Sequence, residues 1–225
     1  MITIAIDGFS STGKSTVAKQ LANKLGYIYV DSGAMYRAIT LFAMQHNFID
    51  TEQFDVASLI KNLDNATLKF VYNSELGFAE MYLNGNNVEN TIRSLEVSNF
   101  VSKVAAVPAV RKKLVQIQKE IGKNKGVVMD GRDIGTVVFK DAELKIFMTS
   151  SAETRANRRY EELLKKGDKV TFEDVLKNVV DRDYVDTNRE DSPLVKAEDA
   201  IEIDNSNLSK EAQFEKILKL VEKKL

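Results

Sequence analysis

Ile2-Thr3-Ile4-Ala5-Ile6-Asp7-Gly8-Phe9-Ser10-Ser11-Thr12-Gly13-Lys14-Ser15 joins an apolar run to a glycine-rich turn and the start of a helix. Ile2 to Ile6 is a short β-branched apolar run, of the kind that forms a buried parallel strand. Gly8 to Ser15 matches G-x-x-x-x-G-K-[ST] in full. From Lys14 to Leu25 the apolar positions take helical spacing, and Gly26 stands where a C-cap glycine belongs. Strand, glycine-rich turn and helix in this order aim backbone N–H groups and the positive end of the helix at an anion. Gly8 and Gly13 allow a close approach that a Cβ would block. Lys14 is then placed to reach the β- and γ-phosphates of a nucleoside triphosphate, and the Ser15 hydroxyl to hold Mg²⁺. Gly8, Phe9, Ser10, Ser11, Thr12, Gly13, Lys14, Ser15 and Thr16 are the candidate triphosphate-binding residues, with Ser15 the metal ligand. The competing reading is a glycine-rich loop that only caps a helix.

Outward from this stretch the same rhythm continues. Tyr27 to Val30, Val127 to Met129, Leu144 to Met148 and Ala200 to Ile203 read as short strands. Helices are predicted over about 33–45 and from about Ser209 onward. Strands alternating with helices imply an α/β fold, a P-loop-type parallel sheet covered by helices on both faces. One stretch breaks the rhythm: Leu68, Phe70 and Tyr72 alternate with polar neighbours, and Phe78 to Leu83 runs into Asn84-Gly85, the strongest short hairpin signal. About 66–90 is therefore expected to be a small antiparallel sheet inserted into the core. Helical patterns at about 52–63 and 94–121 flank it, with Pro108 starting a new helix.

Composition narrows the class. The 225 residues are 44% apolar and 29% charged, ordinary for a globular enzyme. No apolar run approaches the roughly 18 residues a membrane helix needs. Met1 to Ile6 has no basic region before it and no cleavage site after it, so no signal peptide is expected. With no cysteine, disulfides and thiol chemistry are excluded, which fits a cytoplasmic protein. A net charge of −1 offers no global field for nucleic acid. Of the nine arginines, all but Arg93 fall in five short segments, in a chain otherwise solubilised by lysine. Arginine's planar fork binds phosphate bidentately, so these segments mark places where anions can bind.

Two of them lie at expected strand ends. Asp31-Ser32-Gly33-Ala34-Met35-Tyr36-Arg37 follows the second strand, and Asp130-Gly131-Arg132-Asp133 follows the Val127 to Met129 strand. Both belong to the carboxyl edge of the sheet, where open α/β folds bind ligands. Each alone reads equally as a capped turn; together they favour a site.

With these residues in view, the sequence resembles the bacterial-type cytidylate kinases nearly from end to end. The resemblance rests on the glycine loop after Ala5-Ile6-Asp7, on Asp31 to Arg37, and on Ser102-Lys103-Val104-Ala105-Ala106 with Pro108 and Arg111. It also rests on Arg182 to Arg189 and, most specifically, on Asp130-Gly131-Arg132-Asp133-Ile134-Gly135-Thr136-Val137-Val138-Phe139. Phe9 departs from the pattern, since many relatives carry proline there. The resemblance implies ATP-dependent phosphorylation of CMP or dCMP with Mg²⁺. It divides a single domain, 1–225, into a core (about 1–36, 109–151 and 168–225), a nucleoside-monophosphate insert (about 37–108) and a helical lid (about 152–167). Arg37 and Arg132 would grip the CMP phosphate and Arg189 would add charge near the transferring group. Ser32 is placed with the CMP site, Arg182 and Asp186 on its ribose side, and Ser102, Arg111 and Asp133 at the cytosine. Lys14, Arg132, Arg158 and Arg189 are the expected catalytic group. Uracil would set a carbonyl against Asp133, and leaving such a group unpaired costs roughly 1–3 kcal/mol.

Two helices can be read without the family. Thr171 is the expected N-cap with Asp174 in the first turn, and Phe172, Val175, Leu176, Val179 and Val180 form an apolar stripe. Continued at helical spacing, Arg182, Asp186 and Arg189 lie near the edge of that stripe, where charges need a partner or a polar cleft. An Asp186–Arg182/Arg189 pairing on a surface helix is the alternative. Arg155, Arg158 and Arg159 share one face by i, i+3, i+4 spacing. They are candidates to close over ATP phosphates, against a solvated face in which Arg158 pairs with Glu161 and Glu162. His46 has no motif and reads as structural or exposed. The competing functions are a kinase for another nucleoside monophosphate such as UMP, and a nucleotide-gated switch. The expected partners are ATP and CMP or dCMP, with no nucleic acid or membrane, and the chain is expected to be a monomer.

Overall fold

The computed structural model describes residues 1–225. β1 (Thr3–Gly8) feeds the glycine loop and α1 (Lys14–Leu25), and β2 (Ile28–Asp31) passes directly into α2 (Ser32–Gln45). After α3 (Val56–Asn62) come β3 (Leu68–Asn73), β4 (Phe78–Leu83), β5 (Asn86–Asn87), α4 (Leu95–Ala105) and α5 (Pro108–Ile121). β6 (Val127–Gly131) leads through one wide π-type turn, Ile134–Val138, to β7 (Leu144–Thr149). α6 (Ala152–Lys165), α7 (Phe172–Asn188), β8 (Ile201–Asp204) and α8 (Lys210–Glu222) follow. The chain forms two compact units, Met1–Asp31 with Gln118–Leu225, and Ser32–Ile117.

The first unit holds a five-stranded sheet in the order β2-β6-β1-β7-β8, every pair parallel. Its strands therefore end on one edge, and that edge carries Gly8, Asp31, Gly131, Thr149 and Asp204. β1 is central and buried on both faces, which is why it reads as a continuous apolar run rather than an alternation. α1 buries Val17, Ala18, Leu21 and Ala22, one stripe at helical spacing, and stops at Gly26 with φ 66°. Ser151, Thr171 and Ser209 cap α6, α7 and α8 by accepting a backbone N–H three residues on. Gly8 has a reason beyond phosphate: at φ 142°, a Cβ there would lie 2.0 Å from the Met148 carbonyl oxygen of β7. The neighbouring strand already requires glycine.

Two expectations for α7 need correction. Val180 is 48% exposed, so the buried edge runs through Val175 and Val179 to Asp186 and is narrower than the apolar count suggested. The helix also ends at Asn188. Arg189 is its C-cap in an extended conformation, φ −65° and ψ 145°, and reaches the site from non-helical backbone.

The second unit is a three-stranded antiparallel sheet, β3-β4-β5, with α2 to α5. Asn84 and Gly85, both at positive φ, make the tight turn between β4 and β5, as the Asn-Gly pair predicted. Met35, Ile39, Phe42, Leu59, Met81, Ile92, Val104 and Leu114 belong to one apolar core. α3 is shorter than the 52–63 pattern because Asp55 caps it, its side chain accepting the Ser58 N–H. Arg93, the arginine outside the clustered segments, is structural: its Nε donates to the buried Glu89 at 2.8 Å, and Glu89 also accepts the Met81 N–H. His46 is exposed, its ring 4.2 Å from that of Phe42 and its Nδ1 2.8 Å from the Phe42 carbonyl.

Candidate active site

The glycine loop hangs from the end of the central strand. Gly13 adopts φ 85° at the N-cap of α1, and Ser11 is likewise left-handed at φ 59°. The Lys14 ammonium donates to the Phe9 carbonyl at 2.5 Å and to the Thr12 hydroxyl at 3.3 Å. Burial, and next the charge of Arg132, hold Lys14 well below the usual lysine range, with Arg182 adding to the effect. Cations gathered this way around a buried ammonium repel one another, and an anion among them relieves the repulsion.

Beside the lysine stands a pair of oxygens. Ser15 Oγ donates to Asp130 Oδ2 at 2.9 Å, and the Tyr29 hydroxyl donates to Oδ1 at 2.9 Å. Burial, then the negative charge of Asp31, push the Asp130 carboxyl up, so a cation would be welcome there. A hydroxyl and a carboxylate are hard oxygen donors, and this set fits Mg²⁺. Asp130 lies in the Asp130-Gly131-Arg132-Asp133 segment, where residue type alone assigns it no role. An acid at the end of the strand next to the loop is the signal that could have found it.

Asp7 was also missed. Its Oδ1 accepts the Ile134 N–H at 2.8 Å and its Oδ2 the Gly135 N–H at 2.7 Å. The acid before the glycine loop thus pins the turn that follows Arg132 and Asp133. Burial pushes its carboxyl up to about 6, despite those two donors.

Asp186 gathers the arginines. It accepts the Arg132 Nε–H at 3.0 Å and lies 3.8 Å from Arg189, while Arg189 also lies 3.9 Å from Asp133. Burial alone would raise the Asp186 carboxyl, but Arg132, Arg182 and Arg189 together outweigh it and hold it below its usual value. The structure therefore brings Lys14, Ser15, Arg132, Asp133, Arg182, Asp186 and Arg189 into one unit at the carboxyl edge of the sheet. The Asp186–Arg132 contact crosses 54 residues of sequence, so no spacing rule could have foreseen it.

The three arginines of α6 diverge. Arg155 is almost wholly buried and forks onto Asp183, while Arg158 donates to the side chain and backbone carbonyl oxygens of Asn205 at 3.1 and 3.0 Å. Asn205 in turn donates to the Thr12 carbonyl at 2.6 Å. The surface pairing expected for Arg158 belongs instead to Arg159, which meets Glu162 at 3.0 Å.

In the smaller unit, Ser32 and Arg37 lie on α2, Ser102 on α4 and Arg111 on α5. Arg111 is buried with its guanidinium 5.5 Å from the centre of the Tyr36 ring and one N–H on the Ala105 carbonyl at 3.2 Å. No spacing rule links Tyr36 to Arg111, so this aromatic support is visible only in the fold.

A parallel sheet whose central strand ends in this loop, with a lysine, a hydroxyl–carboxylate pair and a cluster of arginines, defines a P-loop phosphate-transferring protein. The cytidylate kinase family model matches residues 4–223, and the chain belongs to that family. It is 69% identical over 220 residues to a cytidylate kinase of Flavobacterium johnsoniae, covering 98% of this chain and 96% of that one. A cytidylate kinase of Flavobacterium psychrophilum is 66% identical, with 98% and 97% covered. Among solved structures, an uncharacterised protein from Eubacterium ventriosum superposes with a TM-score of 0.50 at 12% identity, covering 99% of this chain and 98% of that one, a likeness of fold alone.

Proposed function

We propose that the protein transfers the γ-phosphoryl group of ATP to CMP or dCMP, giving ADP and CDP or dCDP. One observation carries this reading: Lys14 of the phosphate loop shares its surroundings with Arg132 and Arg182, and Arg132 is braced by Asp186. A triphosphate loop that only switches or tracks does not need a second cluster of braced arginines.

Phosphoryl transfer asks a protein for positioning and charge neutralisation more than for covalent chemistry. The loop Gly8 to Ser15 would cradle the ATP phosphates, with Lys14 moving from the Phe9 carbonyl to the transferring group. Ser15 and Asp130 would hold Mg²⁺, which supplies further neutralisation of charge developing on the phosphates. Arg37 and Arg132 are assigned to the CMP phosphate, Arg189 to the group in transfer, and Arg182 and Asp186 to the ribose. Ser102, Arg111 and Asp133 are assigned to the base, where a carboxylate accepts the cytosine amino group and a guanidinium donates to its acceptors. Arg158 and Arg159 are assigned to the ATP side. No helix is long and apolar enough to cross a membrane; the location and assembly proposed with this function are the cytoplasm and a monomer. The test is Lys14→Ala: turnover collapses while CMP binding persists. Retained turnover would overturn the reading.

A further inference from the structure

Among the α6 arginines, Arg155 stands apart in how completely it is used. Its Nε donates to the Ser150 carbonyl at 2.9 Å, and its two terminal nitrogens meet the Asp183 carboxylate at 3.1 and 2.6 Å. The first of these nitrogens also donates to the Ser10 carbonyl at 3.4 Å. Four of the five N–H donors that a guanidinium owns are thereby committed. Its Cζ lies over the Phe9 ring, 5.1 Å from the ring centre, and that ring is itself edge-on to Phe147 at 6.2 Å. The residue is 3% exposed. Taking this guanidinium to a phosphate would break a forked ion pair whose arginine is buried and whose carboxylate is half-buried, and leaving a buried charge without its partner is unfavourable.

We infer that Arg155 is a positioning residue, a strut that Asp183 of α7 holds against Phe9 and Ser10 to fix the shape of the phosphate loop. This deepens the ATP-binding part of the proposed function and rests on it. The strut acts at the right place. The carbonyl of Phe9, whose ring it covers, is the same group that accepts the Lys14 ammonium. α7 then serves both sides of the site, with Asp183 bracing the donor loop and Asp186 bracing Arg132. Phe9 fits this arrangement because a flat ring offers the guanidinium a face to lie on.

The experiment is an equilibrium titration of the intact chain with Mg-ATP, comparing wild type, Asp183→Asn, Arg155→Lys, their double variant and Phe9→Leu. CMP KM and thermal unfolding are measured alongside. Arg155→Lys keeps a charge but loses the fork, and Phe9→Leu keeps bulk and the ion pair, so it stays informative if a charge variant folds poorly. A strut predicts that Asp183→Asn and Arg155→Lys each weaken ATP binding about tenfold, the scale of losing hydrogen bonds to a charged group. The double variant should be no weaker than either single one, because both remove the same contact. Phe9→Leu should weaken ATP in the same direction, with CMP KM unmoved throughout. If Asp183→Asn binds ATP like wild type while Arg155→Lys does not, Arg155 is a phosphate ligand and the strut is wrong. Additive losses, or an equal rise in CMP KM, overturn it as well. A wild-type chain that binds no ATP overturns the proposed function along with the strut; normal ATP binding in every variant overturns the strut alone.

Discussion

Asp186 on α7 accepts the Nε–H of Arg132 at 3.0 Å, so a carboxylate on one element sets the angle of an arginine that follows β6. Asp186→Ala should release Arg132 and Arg189 together. Hydrogen bonds to charged groups contribute about 1.5–3 kcal/mol, so CMP KM should rise roughly 10- to 150-fold. ATP affinity should stay near wild type. Steady-state kinetics with each substrate varied in turn checks this, and an unchanged CMP KM would contradict the assignment.

The buried carboxylate of Asp7 gives an expectation about pH. Its folded value lies at about 6, against an ordinary 3.8. The folded state therefore holds its proton more tightly than the unfolded chain does. The stability this contributes is fully present below the ordinary value and is lost as pH rises through about 6. A shift of about two units corresponds to roughly 3 kcal/mol across that window. Activity should run the other way: the ionised carboxylate accepts the Ile134 and Gly135 amides strongly on both oxygens, whereas protonation turns one oxygen into a hydroxyl and a weaker acceptor, with Lys14 and Asp133 as its charged neighbours. Turnover should fall on acidification below about 6 while thermal stability gains this contribution. Asp7→Asn should flatten both profiles, and a wild-type acid limb that survives in Asp7→Asn would assign the effect elsewhere.

The Ser15–Asp130 pair predicts a metal effect. Asp130→Asn removes the carboxylate that the Ser15 hydroxyl meets at 2.9 Å. The Mg²⁺ concentration for half-maximal turnover should rise about tenfold or more, the scale set by losing a group that holds or orients a metal. A Mg²⁺ titration at saturating ATP and CMP measures it. An unmoved midpoint would place the ion elsewhere.

Gly8 and Gly13 should differ in cost. A Cβ at Gly8 meets the Met148 carbonyl at 2.0 Å, whereas at Gly13 the nearest neighbour, the Gln213 amide nitrogen, is 3.8 Å away. Gly8→Ala should therefore lose about 3 kcal/mol or more through a clash with fixed backbone. Gly13→Ala should lose only about 1–2 kcal/mol, the cost of a left-handed residue with a side chain. Chemical denaturation of the two variants distinguishes them, and equal losses would contradict the packing account.

These residues also mark where the sequence could be read. The glycine loop, the α1 stop at Gly26 and the Asn84-Gly85 turn were legible because each is a local rule, in which a few consecutive residues determine the conformation. The arginine clusters were legible as places for anions. Their partners were not. Asp186 for Arg132, Asp183 for Arg155, Asn205 for Arg158 and Tyr36 beneath Arg111 meet only after distant segments have packed. The helical wheel misjudged Val180 and carried Arg189 along a helix that ends at Asn188, because periodicity reports neither the width of a buried edge nor the place where a helix stops.

The identity of the acceptor is decided by a coupled ADP-release assay of the purified chain with Mg-ATP and CMP, dCMP, UMP, AMP or GMP. Turnover should be rapid with CMP or dCMP and kcat/KM for UMP lower by about 5- to 150-fold, the range expected when Asp133 faces a carbonyl in place of an amino group. Equal turnover of UMP and CMP, or a preference for a purine nucleotide, would contradict it.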